Sequence, residues 1–69
     1  MYEANTLAAC ALMLSRNNEG QPLDPIAKEI ALRQLSADGT PLGFLQVCAD
    51  SADDEISLAA ARALVRSMR

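Results

Sequence analysis

Three clusters of turn-forming residues divide this 69-residue chain into four short segments. The clusters lie at residues 17–25, 38–41 and 50–55, and they are rich in Asn, Asp, Gly and Pro, which open turns and end helices. Within the segments, apolar residues recur at intervals of three and four, the period of an α-helix, and no segment alternates like a strand. The sequence therefore predicts an all-α fold: one domain over residues 1–69, a compact bundle of about four short helices in two hairpins.

The same residues predict where each helix begins and ends. The first helix is expected over residues 3–16. Asp24, followed by proline, begins the second, because an Asp carboxylate accepts hydrogen bonds from free N–H groups and proline in the first turn loses none. Gly39 is expected to end this helix in the left-handed conformation. Thr40, again followed by proline, predicts the same cap for the third helix, and the acidic run from Asp53 begins the fourth.

Apolar stripes predict which side of each helix faces the core. The residues expected on the core-facing stripes of the second and third helices are Ile26, Ala27, Ile30, Ala31, Leu35, Leu42, Leu45, Cys48, Ala49 and Ala52. The fourth helix carries one apolar ridge through Ile56 and Ala60 and another, on a different side, through Leu58 and Val65. A helix that is apolar on two sides is expected to have more than one packing partner.

The charge balance favours a protein partner over nucleic acid. The formal net charge is −3, and the six basic residues are scattered, whereas nucleic-acid binders cluster Lys and Arg to neutralise phosphates. The apolar run over residues 7–14 is too short to cross a bilayer, which takes about 20 apolar residues. We therefore expect a protein partner and no membrane contact.

Cysteine and histidine usage argues against a disulfide scaffold, a metal site and an enzyme. The chain has two cysteines, Cys10 and Cys48, and no histidine. Secreted disulfide scaffolds are far richer in cysteine, structural zinc takes four ligands, and a catalytic thiol needs a base. The acidic run also lacks the alternating ligands and central Gly of a calcium loop. We expect buried thiols, a cytoplasmic setting, no cofactor, no metal and no enzymatic activity.

The apolar content predicts self-association. A domain of this size buries only about 60% of the surface that its unfolded chain exposes, yet 51% of the residues are apolar. Many of these are alanines, which add little burial each but let helices approach closely. Because the apolar residues exceed what one small core covers, we expect a homodimer.

The last third of the chain holds the predicted binding residues. An acidic run and two arginines there offer charge to a partner, and the single Phe offers an apolar contact. The candidate partner-binding residues are Asp50, Asp53, Asp54, Glu55, Arg62, Arg66 and Phe44. The most direct interpretation is a small acidic protein-interaction module, an adaptor or inhibitor of a larger protein.

The hairpin over residues 40–68 resembles a single HEAT-type helical repeat. Its first helix begins with Pro41 and Leu42, an acidic turn follows at residues 53–55, and an alanine-rich second helix runs through Ala60 to Leu64. The chain departs from the pattern at Ser57 and Gly43, and it has room for two hairpins where a solenoid needs about three. The resemblance implies a helical scaffold for protein contacts.

Two other functions fit the same sequence. The second and third helices, joined through Gly39, have the layout of a helix-turn-helix, which predicts a DNA-associated transcriptional regulator. Its recognition helix would hold Gln46 and no Lys or Arg, so Arg62 and Arg66 would have to contact phosphates. The other alternative is a phage or mobile-element inhibitor of a host machine, which differs from the first interpretation in its biology alone.

Overall fold

Four α-helices make up the computed structural model, which describes residues 2–68. They are α1 (Ala4–Asn18), α2 (Pro25–Leu35), α3 (Leu42–Ala49) and α4 (Asp54–Ser67). No strand occurs in residues 2–68. The predicted all-α bundle of about four helices is therefore confirmed, and α1 runs two residues further than expected.

The helices pack as a ring around one core. α1 contacts α2 and α3, and α4 contacts the same two helices, so α1 and α4 lie at opposite corners. The Cα radius of gyration is 10.8 Å, close to the roughly 11 Å expected for a folded chain of this length. The core is made of small and medium side chains, with one aromatic ring: Leu7, Cys10, Leu14, Ala27, Ala31, Leu35, Phe44, Leu45, Cys48, Ile56, Ala60 and Ala63.

Two of the predicted helix caps are present, and the third is wrong. The Asp24 carboxylate accepts from Ile26 N–H at 2.8 Å, and Asp53 caps α4. At α3 the cap position is Pro41, whose side chain makes no capping bond. The Thr40 hydroxyl instead lies 2.9 Å from the Gln34 carbonyl oxygen at the end of α2. A hydroxyl that satisfies a free carbonyl of one helix is turned away from the N–H groups of the next.

Gln34 is the buried polar residue that sequence periodicity missed. Its Nε2 donates to the Thr40 hydroxyl at 3.0 Å, and its Oε1 accepts from Tyr2 N–H at 3.1 Å. A buried amide is tolerated when its donors and acceptors are satisfied. Gln34 thereby joins the chain start to the α2–α3 turn.

The glycines at φ above zero have different roles. Gly20, at φ 104°, follows α1, and the Gln21 N–H bonds the Arg16 carbonyl while the Gly20 N–H bonds that of Asn17. This pair of bonds is the Schellman arrangement that ends helices. Gly39, at φ 78°, was expected to end α2. That prediction is wrong, because α2 ends at Leu35 and Gly39 lies within the following turn.

Four of the predicted core-facing residues lie at the surface. Ile26 is 66% exposed and Leu42 is 62% exposed, and Ala49 and Ala52 are also exposed. Each lies at the edge or end of its stripe. In a ring of four helices each helix is covered by two neighbours, so the margins of a broad apolar stripe remain open.

The two alanines at the middle of α4 provide a matched test of the core. Ala60 is fully buried and Ala61 is exposed. Enlarging Ala60 to Leu overpacks the core, so Ala60→Leu should lower the free energy of unfolding by about 1–3 kcal/mol. Ala61→Leu adds the same atoms on the solvent side and should change it by less than about 0.5 kcal/mol. Urea unfolding of both variants measures the difference, and equal losses would contradict the assigned faces.

The thiols provide a second test. Cys10 and Cys48 are both buried and unpaired, as predicted, and burial raises the pKa of Cys48 to about 12 and that of Cys10 above its usual value. Because the thiolate is the reactive form, neither should react with an aromatic disulfide reagent at pH 8 until the chain unfolds. Thiol release with and without urea measures this. Fast reaction of either cysteine in the native chain would contradict its placement.

Candidate protein-binding surfaces

An open apolar groove lies between α1 and α2. Met13 of α1 lines one wall, and Ile26 and Ile30 of α2 line the other, with Ala9 and Ala27 between them. The groove holds about 500 Å³, and the acidic Asp24 is among the residues that line it. Large apolar side chains gathered in an open groove are typical of a protein-interaction site.

The outer face of α4 is a second apolar surface. We use this name for Leu58, Ala61 and Val65, which follow the i, i+3, i+7 spacing of one helix side. Leu58 is 54% exposed and Val65 is 55% exposed. The opposite side of α4 faces the core through Ile56, Ala60 and Ala63. Of the two apolar ridges predicted on this helix, one is therefore buried and the other is exposed.

An ion-pair cluster joins α2 to the start of α4. Lys28 Nζ lies 3.0 Å from Asp53 Oδ2 and 3.2 Å from Glu55 Oε1. The other oxygen of Asp53, Oδ1, accepts from the N–H groups of Glu55 and Ile56 at 3.0 and 3.2 Å. The bonds to Asp53 and then to Glu55 raise the pKa of Lys28, and the bond from Lys28 lowers the pKa of Asp53.

The predicted binding residues divide into structural and surface roles. Asp53 and Glu55 take part in the cap and ion pairs described above. Asp50 is exposed directly after α3, and Asp54 is exposed as the first residue of α4. Phe44 is 6% exposed and belongs to the core. Placing it at a partner surface was a misassignment, because α3 turns Phe44 inward together with Leu45 and Cys48.

The two arginines also differ. Arg62 is exposed and takes part in no ion pair among residues 2–68. Arg66 reaches across to the end of α2, where its guanidinium donates to the Leu35 carbonyl oxygen. A cation at a helix C-terminus satisfies a free carbonyl and interacts favourably with the helix dipole. Arg66 therefore has a structural contact besides its exposure, and Arg62 is the better candidate for a partner.

The groove residues were missed because the sequence shows which residues are apolar but not which neighbours cover them. Met13 belonged to none of the predicted stripes, and Ile26 was placed on a stripe expected to face the core. The pairing of Lys28 with Asp53 and Glu55, which follow it by at least 25 residues in the sequence, had no local signal either. Only the packing of α1 on α2, and of α2 on α4, brings these side chains together.

The described helices carry few features for reading DNA bases, holding a metal ion or crossing a membrane. The exposed positions of α3 are Leu42, Gly43, Gln46 and Ala49, so one amide is the sole polar side chain that this helix could present to a base. Among residues 2–68, no cluster of three metal-ligating side chains occurs. None of the described helices has the length and apolar character needed to cross a bilayer.

The two oxygens of Asp53 allow its cap and its ion pair to be tested separately. Asp53→Ala removes both and should cost about 1 kcal/mol or more of stability through the cap alone. Asp53→Asn keeps a capping acceptor and loses only the pair with Lys28, so its loss should be smaller. Chemical unfolding at neutral pH ranks the two variants, and an equal loss in both would contradict a capping role.

The pH dependence of this contribution follows from the pKa of Asp53. Because that pKa is lower in the folded chain, the ion pair stabilises the fold at neutral pH and is lost as the pH falls through the folded-state value. The stability difference between the parent and Asp53→Asn should therefore shrink in acid. A difference that is independent of pH would show that the ion pair contributes nothing.

The chain matches no protein-family profile, no curated protein and no solved structure. Its two exposed apolar surfaces and their flanking charges are therefore the basis for a proposal of function.

Proposed function

We propose that this chain is a small, non-enzymatic protein-binding module that acts as an adaptor or inhibitor of a larger protein. The observation that carries the proposal is the open apolar groove between α1 and α2. A fold of this size loses burial when Ile26 and part of Met13 stay in water, since each buried large apolar side chain contributes about 1.5–3 kcal/mol. Covering these side chains with a partner recovers that contribution.

The groove suits an amphipathic helix of the partner. Two helices form its walls, and a third helix laid between them buries apolar residues at i, i+3 and i+4 spacing. Met13 adapts its shape to different apolar side chains because its chain is unbranched and flexible. Asp24 in the groove lining, on a chain of net charge −3, favours a basic residue beside the apolar face of the partner helix.

An in-cell cross-linking experiment tests the proposal. The photoreactive amino acid p-benzoylphenylalanine is introduced at position 26, in the groove, and separately at position 46, on the exposed side of α3. Irradiation of the native host should link the chain to another protein from position 26 and not from position 46. Adducts from neither position, or adducts that contain this chain alone, would contradict a heterologous partner at the groove.

Paired substitutions then establish whether the captured partner uses the groove. Ile26→Glu places a charge among apolar side chains and should weaken binding of the captured partner to the purified chain by about tenfold or more, as for a central interface residue. Leu42→Glu introduces the same charge at a similarly exposed leucine outside the groove and should leave that binding unchanged. Equal loss in the two variants would place the partner elsewhere.

A further inference from the structure

Two charged residues, Asp54 and Arg62, lie beside the outer face of α4, and their order along the helix is complementary to itself. Asp54, Leu58 and Arg62 follow one another at intervals of four residues, so they form a single ridge along the exposed side of the helix. The ridge therefore runs from an acid, through a leucine, to a base. Asp54 and Arg62 are both exposed and take part in no ion pair among residues 2–68.

An antiparallel second copy satisfies this order, and a parallel copy does not. Asp54 and Arg62 are each four residues from Leu58, about 6 Å along the axis. A two-fold axis near Leu58 therefore places Asp54 of each copy opposite Arg62 of the other. The antiparallel arrangement also sets opposite ends of the two helix dipoles side by side. A parallel pair would oppose like charges at both positions.

The apolar residues beside the ridge fit close helix packing. Ala61 and Val65 follow the next ridge, and Ala61 has no side chain beyond Cβ to hold the helices apart. Helices in contact lie about 8–10 Å apart, the shorter distance where the contact residues are small. Leu58 and Val65, each about half exposed, would be covered by the second copy.

We propose that two copies of this chain associate through the outer face of α4, antiparallel about a two-fold axis near Leu58. The interface is isologous, since the same patch serves both copies. It is separate from the α1–α2 groove, so dimerisation leaves both grooves open. One helix on one helix is a small interface, so the association is expected at micromolar concentration, and it weakens with salt because the ion pairs are at its rim.

Sedimentation equilibrium of the purified chain tests self-association. The parent should pass from monomer to dimer between low micromolar and submillimolar concentration. Leu58→Glu should weaken the dimer by about tenfold or more, while Leu42→Glu, an exposed leucine of α3, should dimerise like the parent. A parent that stays monomeric throughout, or a dimer that Leu58→Glu leaves intact, would overturn the proposal.

Charge exchange tests the antiparallel order. Asp54→Lys and Arg62→Glu, each alone, oppose like charges across the two-fold axis and should weaken the dimer by several-fold. The double variant Asp54→Lys/Arg62→Glu restores opposite charges and should return the dissociation constant to near that of the parent. Both positions are exposed, and circular dichroism checks that each variant keeps its helices. If the double variant loses as much free energy of dimerisation as the two single variants lose together, this arrangement is excluded.

The two proposals fail separately. Loss of dimerisation in Leu58→Glu with capture from position 26 intact would support both surfaces. Partner binding that depends on Ile26 in a chain that sediments as a monomer would support the groove and reject the dimer. A dimer that persists when no other protein is linked from position 26 would do the reverse.

Discussion

Packing through small side chains is the constraint on which the rest of this structure depends. α2 contributes Ala27 and Ala31 to the core, and α4 contributes Ala60 and Ala63, all almost completely buried. Alanines let two helices approach closely, but each buries little apolar surface and so contributes little to stability. The alanines therefore fix the distance between the helices more than they stabilise the fold, which depends on the larger core side chains, such as Leu14 and Ile56, and on other contacts at the helix ends.

Those contacts are polar, and they join residues far apart in sequence at the ends of the helices. The Asn18 Oδ1 at the end of α1 accepts from Ala52 N–H at 2.7 Å. Arg66 reaches the end of α2, and Lys28 reaches the cap of α4. Each contact of this kind adds only a small increment when it is exposed to solvent, but small increments matter in a domain of marginal stability. The helix ends are thus held by specific side chains while the middle is held by packing.

The helices themselves could be predicted from the sequence because their signals are local. Asp24 and Asp53 cap the helices that they precede, since a carboxylate two residues before a free N–H group has a partner in any fold. Thr40 looked like the same signal, but its hydroxyl is engaged by the end of α2. A short polar side chain between two helices can serve either one, and the sequence does not show which helix end lies closer.

The same limit applies to the candidate surfaces. Periodicity placed Leu58 and Val65 on a different side of α4 from Ile56, and the structure agrees, because helix geometry alone decides it. Ile26 was expected to face the core and Phe44 to contact a partner, but Ile26 is exposed and Phe44 is buried. These outcomes depend on which neighbours cover each helix, and periodicity does not show that. The likeness of the last hairpin to a HEAT-type repeat stays a prediction for a related reason. Two packed helices with alanines between them satisfy that pattern whatever their origin.

The positions of the two surfaces bear on how the proposed activities would combine. The groove is built by α1 and α2, whereas the outer face belongs to α4, which lies at the opposite corner of the ring from α1. A dimer formed through α4 would leave both grooves open, one on each copy. Such a dimer presents two identical binding sites at a fixed separation, which raises the apparent affinity for a partner that is itself repeated or oligomeric. Self-association would in that case set the strength of binding, and the groove would set its specificity.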